Sequence, residues 1–209
     1  MESAKNNLPR RIGIIGGTFD PVHIGHLIIA QEAWHKLELE KVVFVPAGIQ
    51  PHKPDRPVTD REHRFNMVKL AVEDNPVFEV SRAELDRPGP SFTVDTLAEF
   101  KRIYGDETRL FFIAGADAIL EIQTWHQPDK IIEYAALVAA ARPGYDLSRA
   151  KKLLPEEFLQ RIIFLEAPSV DISATQLRER VANGIPVRYL IPDPVVRYII
   201  ENRLFEANI

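Results

Sequence analysis

The 209-residue sequence contains no cysteine, which excludes disulfide bonds and catalysis by a thiol. It also lacks any apolar run approaching the roughly 20 residues that a membrane-spanning helix needs. The first eleven residues are polar and have none of the apolar centre of a signal peptide. These absences predict a cytoplasmic protein that does not enter a membrane.

An excess of basic residues is also missing, since the formal net charge is −4 at pH 7. Proteins that bind nucleic acid need a basic surface, so we expect no nucleic-acid partner. Any phosphate recognition must then come from local groups and concern small ligands. With 45% apolar residues, the chain can bury one core, which predicts a single domain over residues 1–209. Within it, residues 1–10 are predicted as a tail and residues 173–209 as a helical C-terminal part.

Short apolar runs alternate along the chain with amphipathic segments, which is typical of a parallel sheet covered on both faces by helices. We therefore predict an α/β fold with a single Rossmann-like, doubly wound parallel sheet of about six strands. Helix starts are predicted at Thr59, from its capping-box spacing, and at Ser91 or Thr93. Two C-terminal helices are predicted over residues 173–181 and 194–204. The predicted strands are residues 12–15, 42–45, 77–80, 110–114, 136–140 and 162–164.

The most informative segment reads Gly-Gly-Thr-Phe-Asp-Pro-Val-His-Ile-Gly-His-Leu, at residues 16–27, directly after the first apolar run. Its two leading glycines let backbone N–H groups approach a phosphate closely, and Thr18 adds a hydroxyl. The Asp-Pro pair suits a helix entry, which would place His23 and His26 on one face near the positive end of the helix dipole. The segment therefore predicts an anion site.

Three other motifs fit this segment less well. A dinucleotide-binding fingerprint needs Gly-x-Gly-x-x-Gly and an acid after the second strand, and neither is present. A P-loop needs Gly-Lys followed by Ser or Thr, which does not occur. Zinc on the histidine pair is disfavoured because cysteine and an adjacent acid are missing. Each residue alone has a structural explanation as a turn or a packed histidine, and the combination favours phosphate binding.

Residues 16–27 resemble the signature of the nucleotidyltransferase superfamily, in the form found in the bacterial nicotinate-nucleotide adenylyltransferase family. The family usually has serine where this chain has Ala174, so one phosphate-facing hydroxyl is absent. Other matches follow in the family's order and cover most of the chain. They are Pro51-His52-Lys53, residues 91–97, residues 112–117, Trp125, Arg142-Pro143-Gly144 and residues 172–178.

The resemblance implies transfer of the adenylyl group of ATP to nicotinate mononucleotide, a step of NAD biosynthesis, with Mg²⁺ as cofactor. The metal is expected on the phosphates, with no protein side chain as its main ligand. Implied catalytic residues are Thr18, His23, His26 and Arg178. Implied ATP contacts are Gly16, Gly17, Thr18, Phe19, His23, Gly25, His26, Gly115, Asp117, Arg142, Ser173, Thr175 and Arg178. Implied contacts to the second substrate are His52, Lys53, Thr93 and Trp125.

These residues should meet in one cleft, because ligands of open parallel sheets bind outside the carboxyl ends of the strands. Some alternatives remain open. The acceptor could be nicotinamide mononucleotide or phosphopantetheine, or the chain could be a non-catalytic nucleotide sensor. An RNA-binding fragment is disfavoured by the missing basic surface. The sequence leaves open whether the protein is a monomer or a homo-oligomer.

Overall fold

The computed structural model describes residues 9–49, 58–141, 150, 152–168 and 170–206. Its strands form one all-parallel sheet in the order β3-β2-β1-β4-β5-β6. The predicted doubly wound α/β fold is confirmed, and five of the six predicted runs lie wholly in a strand, while the run 77–80 begins one residue before its strand. The strands are β1 Arg11–Gly17, β2 Lys41–Pro46, β3 Phe78–Val80, β4 Arg109–Gly115, β5 Ala135–Ala141 and β6 Ile162–Glu166.

Helices cover both faces of this sheet and enclose a separate apolar core on each. Strand residues alternate between the cores, so Ile12 and Ile14 pack in one and Ile15 in the other. Helices α1, α2, α7 and α8 cover the Ile15 face, and α3 to α6 cover the opposite face. The helices are α1 Ile24–Lys36, α2 Arg61–Val72, α3 Thr93–Tyr104, α4 Ala116–Leu120, α5 Pro128–Tyr134, α6 Glu156–Leu159, α7 Ala174–Ala182 and α8 Asp193–Glu201, with a 3₁₀ turn at Ile122–Thr124.

One of the two predicted helix starts is wrong, and the other falls at Thr93, one of its two predicted positions. Asp60, not Thr59, caps α2, because its carboxylate accepts a 2.8 Å hydrogen bond from the N–H of Glu62. Helix α3 begins at Thr93 without a side-chain cap, since the Ser91 hydroxyl accepts a bond from another loop. The two predicted C-terminal helices are present as α7 and α8.

The order of the strands creates a switch point between β1 and β4, where successive connections leave in opposite directions. Because all strands are parallel, the carboxyl ends of β1, β2, β4 and β5 lie at one edge of the sheet. The crevice at this edge is where such folds bind their ligands. Within the described ranges, no helix is long and apolar enough to cross a membrane.

Candidate active site

The loop that follows β1 turns back into the core before α1 begins. Phe19 has a positive φ of 52°, and its side chain and that of Val22 are buried. The first helical residue is Ile24, preceded by His23 in an extended conformation. The prediction that Asp20-Pro21 opens this helix is therefore wrong, because burial of the two apolar side chains delays the helix start.

His23 and His26 are brought together by this geometry, with ring centroids 3.7 Å apart in a stacked arrangement. Burial lowers the pKa of His23 to about 4. Burial also lowers the pKa of His26 well below its ordinary value, and the neighbouring His23 adds to that shift. Both imidazoles are thus neutral at pH 7 in the ligand-free protein.

A backbone bond selects the tautomer of His26. Its Nδ1 accepts a hydrogen bond of 3.2 Å from the N–H of His23, so the ring proton lies on Nε2. A neutral imidazole with this tautomer can donate an N–H to a phosphate oxygen. The pair supplies donors fixed in place, not a resident positive charge.

The ring of Phe19 packs against the histidine pair. Its ring packs edge-on against His26, with centroids 5.0 Å apart. A Cβ atom on Gly17 would lie 3.0 Å from the same ring, so any larger residue there would have to push the ring aside by a few tenths of an ångström. Because the Phe19 side chain is buried, any contact of this residue with a nucleotide would pass through its backbone.

A first cavity, of about 410 Å³, lies on the α1 side of the switch point. The histidine pair borders it, as does the turn from β4 into α4. Gly115 precedes the first residue of α4 and Asp117 lies in its first turn, so Asp117 is not the helix cap. The lining residues are His23, Gly25, His26, Ile29, Gly115, Ala116, Asp117, Ala140, Ala141, Ala167, Pro168, Val170 and Ile172.

A second cavity, of about 420 Å³, lies on the α3 side. Its walls include four aromatic rings, and the indole of Trp125 meets the ring of Phe112 edge-on with centroids 5.8 Å apart. Phe92 and His126 pack against each other at 4.3 Å. The lining residues are Gly16, Gly17, Ala47, Glu84, Ser91, Phe92, Thr93, Phe112, Ala114, Ala118, Glu121, Thr124, Trp125 and His126.

The ends of β1 and β4 divide the two cavities. Consecutive residues of a strand face opposite sides, and accordingly Ala114 lines the second cavity and Gly115 the first. Gly16 and Gly17 line the second cavity, and the histidines of the loop that follows line the first. Two ligands could therefore meet across the small residues of this divide.

The start of α7 reaches the β1 loop through Arg178. Its guanidinium donates a 2.7 Å hydrogen bond to the carbonyl of Asp20 and lies 3.3 Å from the hydroxyl of Thr175. Ser173 caps the helix by accepting from the N–H of Gln176 at 3.2 Å. Arg178 thus links the start of α7, which carries the predicted ATP contacts Ser173 and Thr175, to the predicted phosphate loop, and Ile172 of the same segment lines the first cavity.

Two buried charged residues that sequence reasoning missed hold this loop. Asp20 is 4% exposed, and its carboxylate lies 3.8 Å from Arg178. Arg64, on α2, is 3% exposed and donates to the carbonyls of Thr18 and Thr59, each at 2.9 Å. A signal existed for Arg64, because it lies among the apolar residues of a helical pattern.

The lining of the second cavity was only partly predicted. Thr93 and Trp125 are there as expected, and Phe92 lies in the matched segment 91–97 without a predicted role, whereas Glu84 and His126 carry no local pattern that marks them. The predicted residues His52, Lys53 and Arg142 lie outside the described part of the chain.

Comparison with known proteins gives a consistent set of relatives. A sequence model described as cytidylyltransferase-like matches residues 14–180. The chain is 50% identical over 204 residues to a protein of Moorella thermoacetica named "Probable nicotinate-nucleotide adenylyltransferase", covering 96% of this chain and 94% of that one. A protein of the same name from Thermoanaerobacter is 48% identical over 201 residues, covering 95% of each chain.

A solved structure supports the fold. The nicotinic acid mononucleotide adenylyltransferase of Plasmodium falciparum, complexed with NaAD, superimposes with a TM-score of 0.74 at 19% identity. The match covers 94% of this chain and 97% of that one. The sheet and its helices therefore have the same fold as that structure.

Proposed function

The chain belongs to the nicotinate-nucleotide adenylyltransferase family within the cytidylyltransferase-like proteins, and on that premise we propose that it joins ATP to nicotinate mononucleotide. The products are nicotinate adenine dinucleotide and pyrophosphate, and the reaction is a step of NAD biosynthesis. The enzyme is a nucleotidyltransferase. The observation that carries the proposal is the pair of adjoining cavities, about 410 and 420 Å³, on either side of the switch point.

ATP is assigned to the first cavity. Its phosphates would receive N–H donors from the histidine pair and, where they reach the divide, from the backbone at Gly16 and Gly17, which line the second cavity. Arg178 and the start of α7 would hold the β- and γ-phosphates. The site of Asp117, in the first turn of α4, suits a ribose hydroxyl contact. Arg142 is a proposed contact that rests on the family resemblance.

Nicotinate mononucleotide is assigned to the second cavity, because its aromatic walls suit a pyridine ring. Trp125 would stack on the ring, a geometry in which aromatic pairs gain energy beyond their burial. No side chain caps α3, so its first N–H groups, with the Thr93 hydroxyl, can hold the nicotinate carboxylate. Lys53 and His52 are proposed for the mononucleotide phosphate on the family resemblance.

The reaction needs no protein nucleophile. An oxygen of the mononucleotide phosphate bonds to the α-phosphorus of ATP, and the bond between the α-phosphorus and its bridging oxygen breaks. Pyrophosphate leaves with that electron pair. The attacking phosphate, whose second pKa is about 6, is already mostly dianionic at neutral pH, so a general base adds little. Catalysis therefore rests on alignment and on charge stabilisation at the α-phosphorus.

Neutral histidines suit this task. The Nε2–H of His26 can donate to an α-phosphate oxygen as charge develops there, without the cost of keeping a cation buried before ATP arrives. Thr18 adds a hydroxyl to the same loop. His23 holds the His26 ring by stacking and through its backbone N–H.

Mg²⁺ is part of the proposal as a companion of ATP. The donors around the first cavity are mainly imidazoles and backbone amides, a set suited to phosphate oxygens. In the described residues no group of three acidic, histidine or cysteine side chains could form a metal cage. When bound through phosphate oxygens and water, Mg²⁺ would neutralise charge on the departing pyrophosphate.

Pyrophosphate release from ATP and Mg²⁺ tests the proposal, with nicotinate mononucleotide, nicotinamide mononucleotide and phosphopantetheine compared in parallel. The highest kcat/KM is expected with the first acceptor. A higher value with either of the others would assign a different acceptor. Release with none of the three would favour a nucleotide sensor. A cytoplasmic location also belongs to the proposal, and the oligomeric state is left open.

A further inference from the structure

A buried carboxyl group in the second cavity has no part in the chemistry proposed above. Glu84 lies in the segment between β3 and α3, lines the cavity and is 8% exposed. Its surroundings raise the pKa of its carboxyl, chiefly through desolvation by burial. Burying a carboxylate costs free energy unless hydrogen-bond donors compensate for the lost water.

Such donors come from two parts of the chain, the loop after β2 and the stretch that runs from Ser91 into α3. The Thr96 hydroxyl, in the second turn of α3, donates a 2.7 Å hydrogen bond to Glu84 Oε1. The hydroxyl of Ser91 and the backbone N–H of Gly48 also face this carboxyl and favour its ionised form. A carboxylate accepts several bonds and donates none, so it suits a point where three donors converge.

Near the Glu84 carboxyl, the loop after β2 is also hydrogen-bonded to the residues that precede α3. The N–H of Gly48 donates to the Ser91 hydroxyl at 3.0 Å, and the N–H of Ser91 donates to the carbonyl of Ile49 at 2.8 Å. A Cβ atom on Gly48 would lie 2.3 Å from the carbonyl oxygen of Glu84. Only glycine permits this approach, so the two loops are locked at their closest point.

The locked segment leads directly to the pyridine-binding groups assigned above. Phe92, Thr93 and the uncapped start of α3 follow Ser91 without a break, and Thr96 fixes the helix one turn later. Thr96 is 1% exposed and does not line the cavity, so it can act on a ligand through Glu84, through Arg87, which donates a 3.0 Å hydrogen bond to its hydroxyl, and through the helix.

We propose that Glu84 is a positioning residue for the pyridine nucleotide. Its carboxylate holds the loop after β2 against α3 by hydrogen bonds and thereby fixes the position of Phe92 and Thr93 in the wall of the second cavity. The inference rests on the proposed function, since it concerns the same acceptor site. It assigns no contact between Glu84 and ATP, and therefore separates the recognition of the two substrates.

The test compares the KM values of the two substrates in Glu84→Ala, Glu84→Gln and Thr96→Val. In Glu84→Ala, KM for nicotinate mononucleotide should rise about tenfold while KM for ATP changes less than about twofold, as expected when only one binding wall moves. Glu84→Gln keeps one acceptor oxygen and the side-chain volume, so it should restore part of the affinity. Thr96→Val, outside the cavity, should raise the same KM about threefold, the usual size of one lost hydrogen bond.

Glu79→Ala is the matched control, because Glu79 is an exposed carboxylate on β3 that pairs with Lys41 at 2.6 Å. It should leave both KM values unchanged. If Glu84→Ala fails to fold, the other two variants decide the question. A lower melting temperature with both KM values intact, or equal rises in both, would overturn the inference. Failure of the wild-type protein to form the dinucleotide would instead overturn the proposed function.

Discussion

The two cavities of the cleft differ in how the chain builds them. The first takes its histidine donors from one short stretch at the start of α1, where His23, Gly25 and His26 lie within four residues of sequence, and its other walls extend to Ile172. The second collects side chains from segments spread between Gly16 and His126. The first offers fixed polar donors and the second offers aromatic walls. On the proposed assignment of the substrates, the histidine donors to ATP are close in sequence, whereas the groups around the acceptor come together only through the tertiary structure.

The largest expected effect separates catalysis from binding. His26→Ala should lower kcat by about a hundredfold, because one preorganised donor to the developing charge is lost. KM for nicotinate mononucleotide should change little, since His26 lines only the first cavity. Steady-state kinetics with each substrate varied in turn measures both. His35→Ala is the control, because His35 is exposed in the last turn of the same helix. An unchanged kcat in His26→Ala would remove the histidines from the mechanism.

The second prediction concerns binding of the acceptor in the second cavity. Trp125→Ala should raise KM for nicotinate mononucleotide about tenfold through lost ring stacking and burial, and KM for ATP should stay near its wild-type value. Trp125→Phe keeps an aromatic face and should recover most of the affinity. Equal weakening of both substrates would show that the two cavities do not divide them in this way.

A third prediction concerns protonation of the first cavity. Unfolded histidine has a pKa of about 6.5, whereas His23 in the fold has a pKa of about 4. Between these values the unfolded chain binds the extra proton, so stability present above pH 6.5 is lost as the pH falls toward 4. His23→Gln removes this titration and should shrink the drop in melting temperature over that window, by on the order of 5 °C.

Thermal unfolding at stepped pH values measures the effect, with His35→Gln as the exposed control. Identical pH profiles for wild-type protein and His23→Gln would mean that His23 is not held neutral by burial. Glu84, in the second cavity, contributes with the opposite sign, because its raised pKa makes stability fall as the pH rises.

The smallest expected effect lies at the start of α7. Ala174 is the first residue of that helix, where a serine hydroxyl could reach a phosphate oxygen. Ala174→Ser should lower KM for ATP about threefold, in keeping with one added hydrogen bond, and leave KM for the acceptor unchanged. A lower KM for the acceptor with an unchanged KM for ATP would show that this helix start contacts the acceptor and not ATP.

Much of the fold could be predicted because buried parallel strands have a strong local signature. Runs such as residues 42–45 are apolar on both faces, and each predicted run became a strand. The histidine pair could be predicted for a similar reason, since its members are close in sequence.

Long-range contacts explain what the sequence did not reveal. The Asp20-Pro21 pair has the local pattern of a helix entry, yet burial of Phe19 and Val22 moves the helix start to Ile24. Ser91 looks like a helix cap, but Gly48 uses its hydroxyl. Glu84 has no local pattern at all, because its partners lie on other segments. Such residues become visible only when the tertiary structure is known.

A crystal structure of the protein with nicotinate adenine dinucleotide tests the division of the cleft most directly. The account predicts the adenosine beside His23, His26 and Asp117 in the first cavity, and the pyridine ring against Trp125 in the second. The linking phosphates should cross the divide formed by the ends of β1 and β4. A dinucleotide bound in the reverse direction, or with both rings in one cavity, would contradict it.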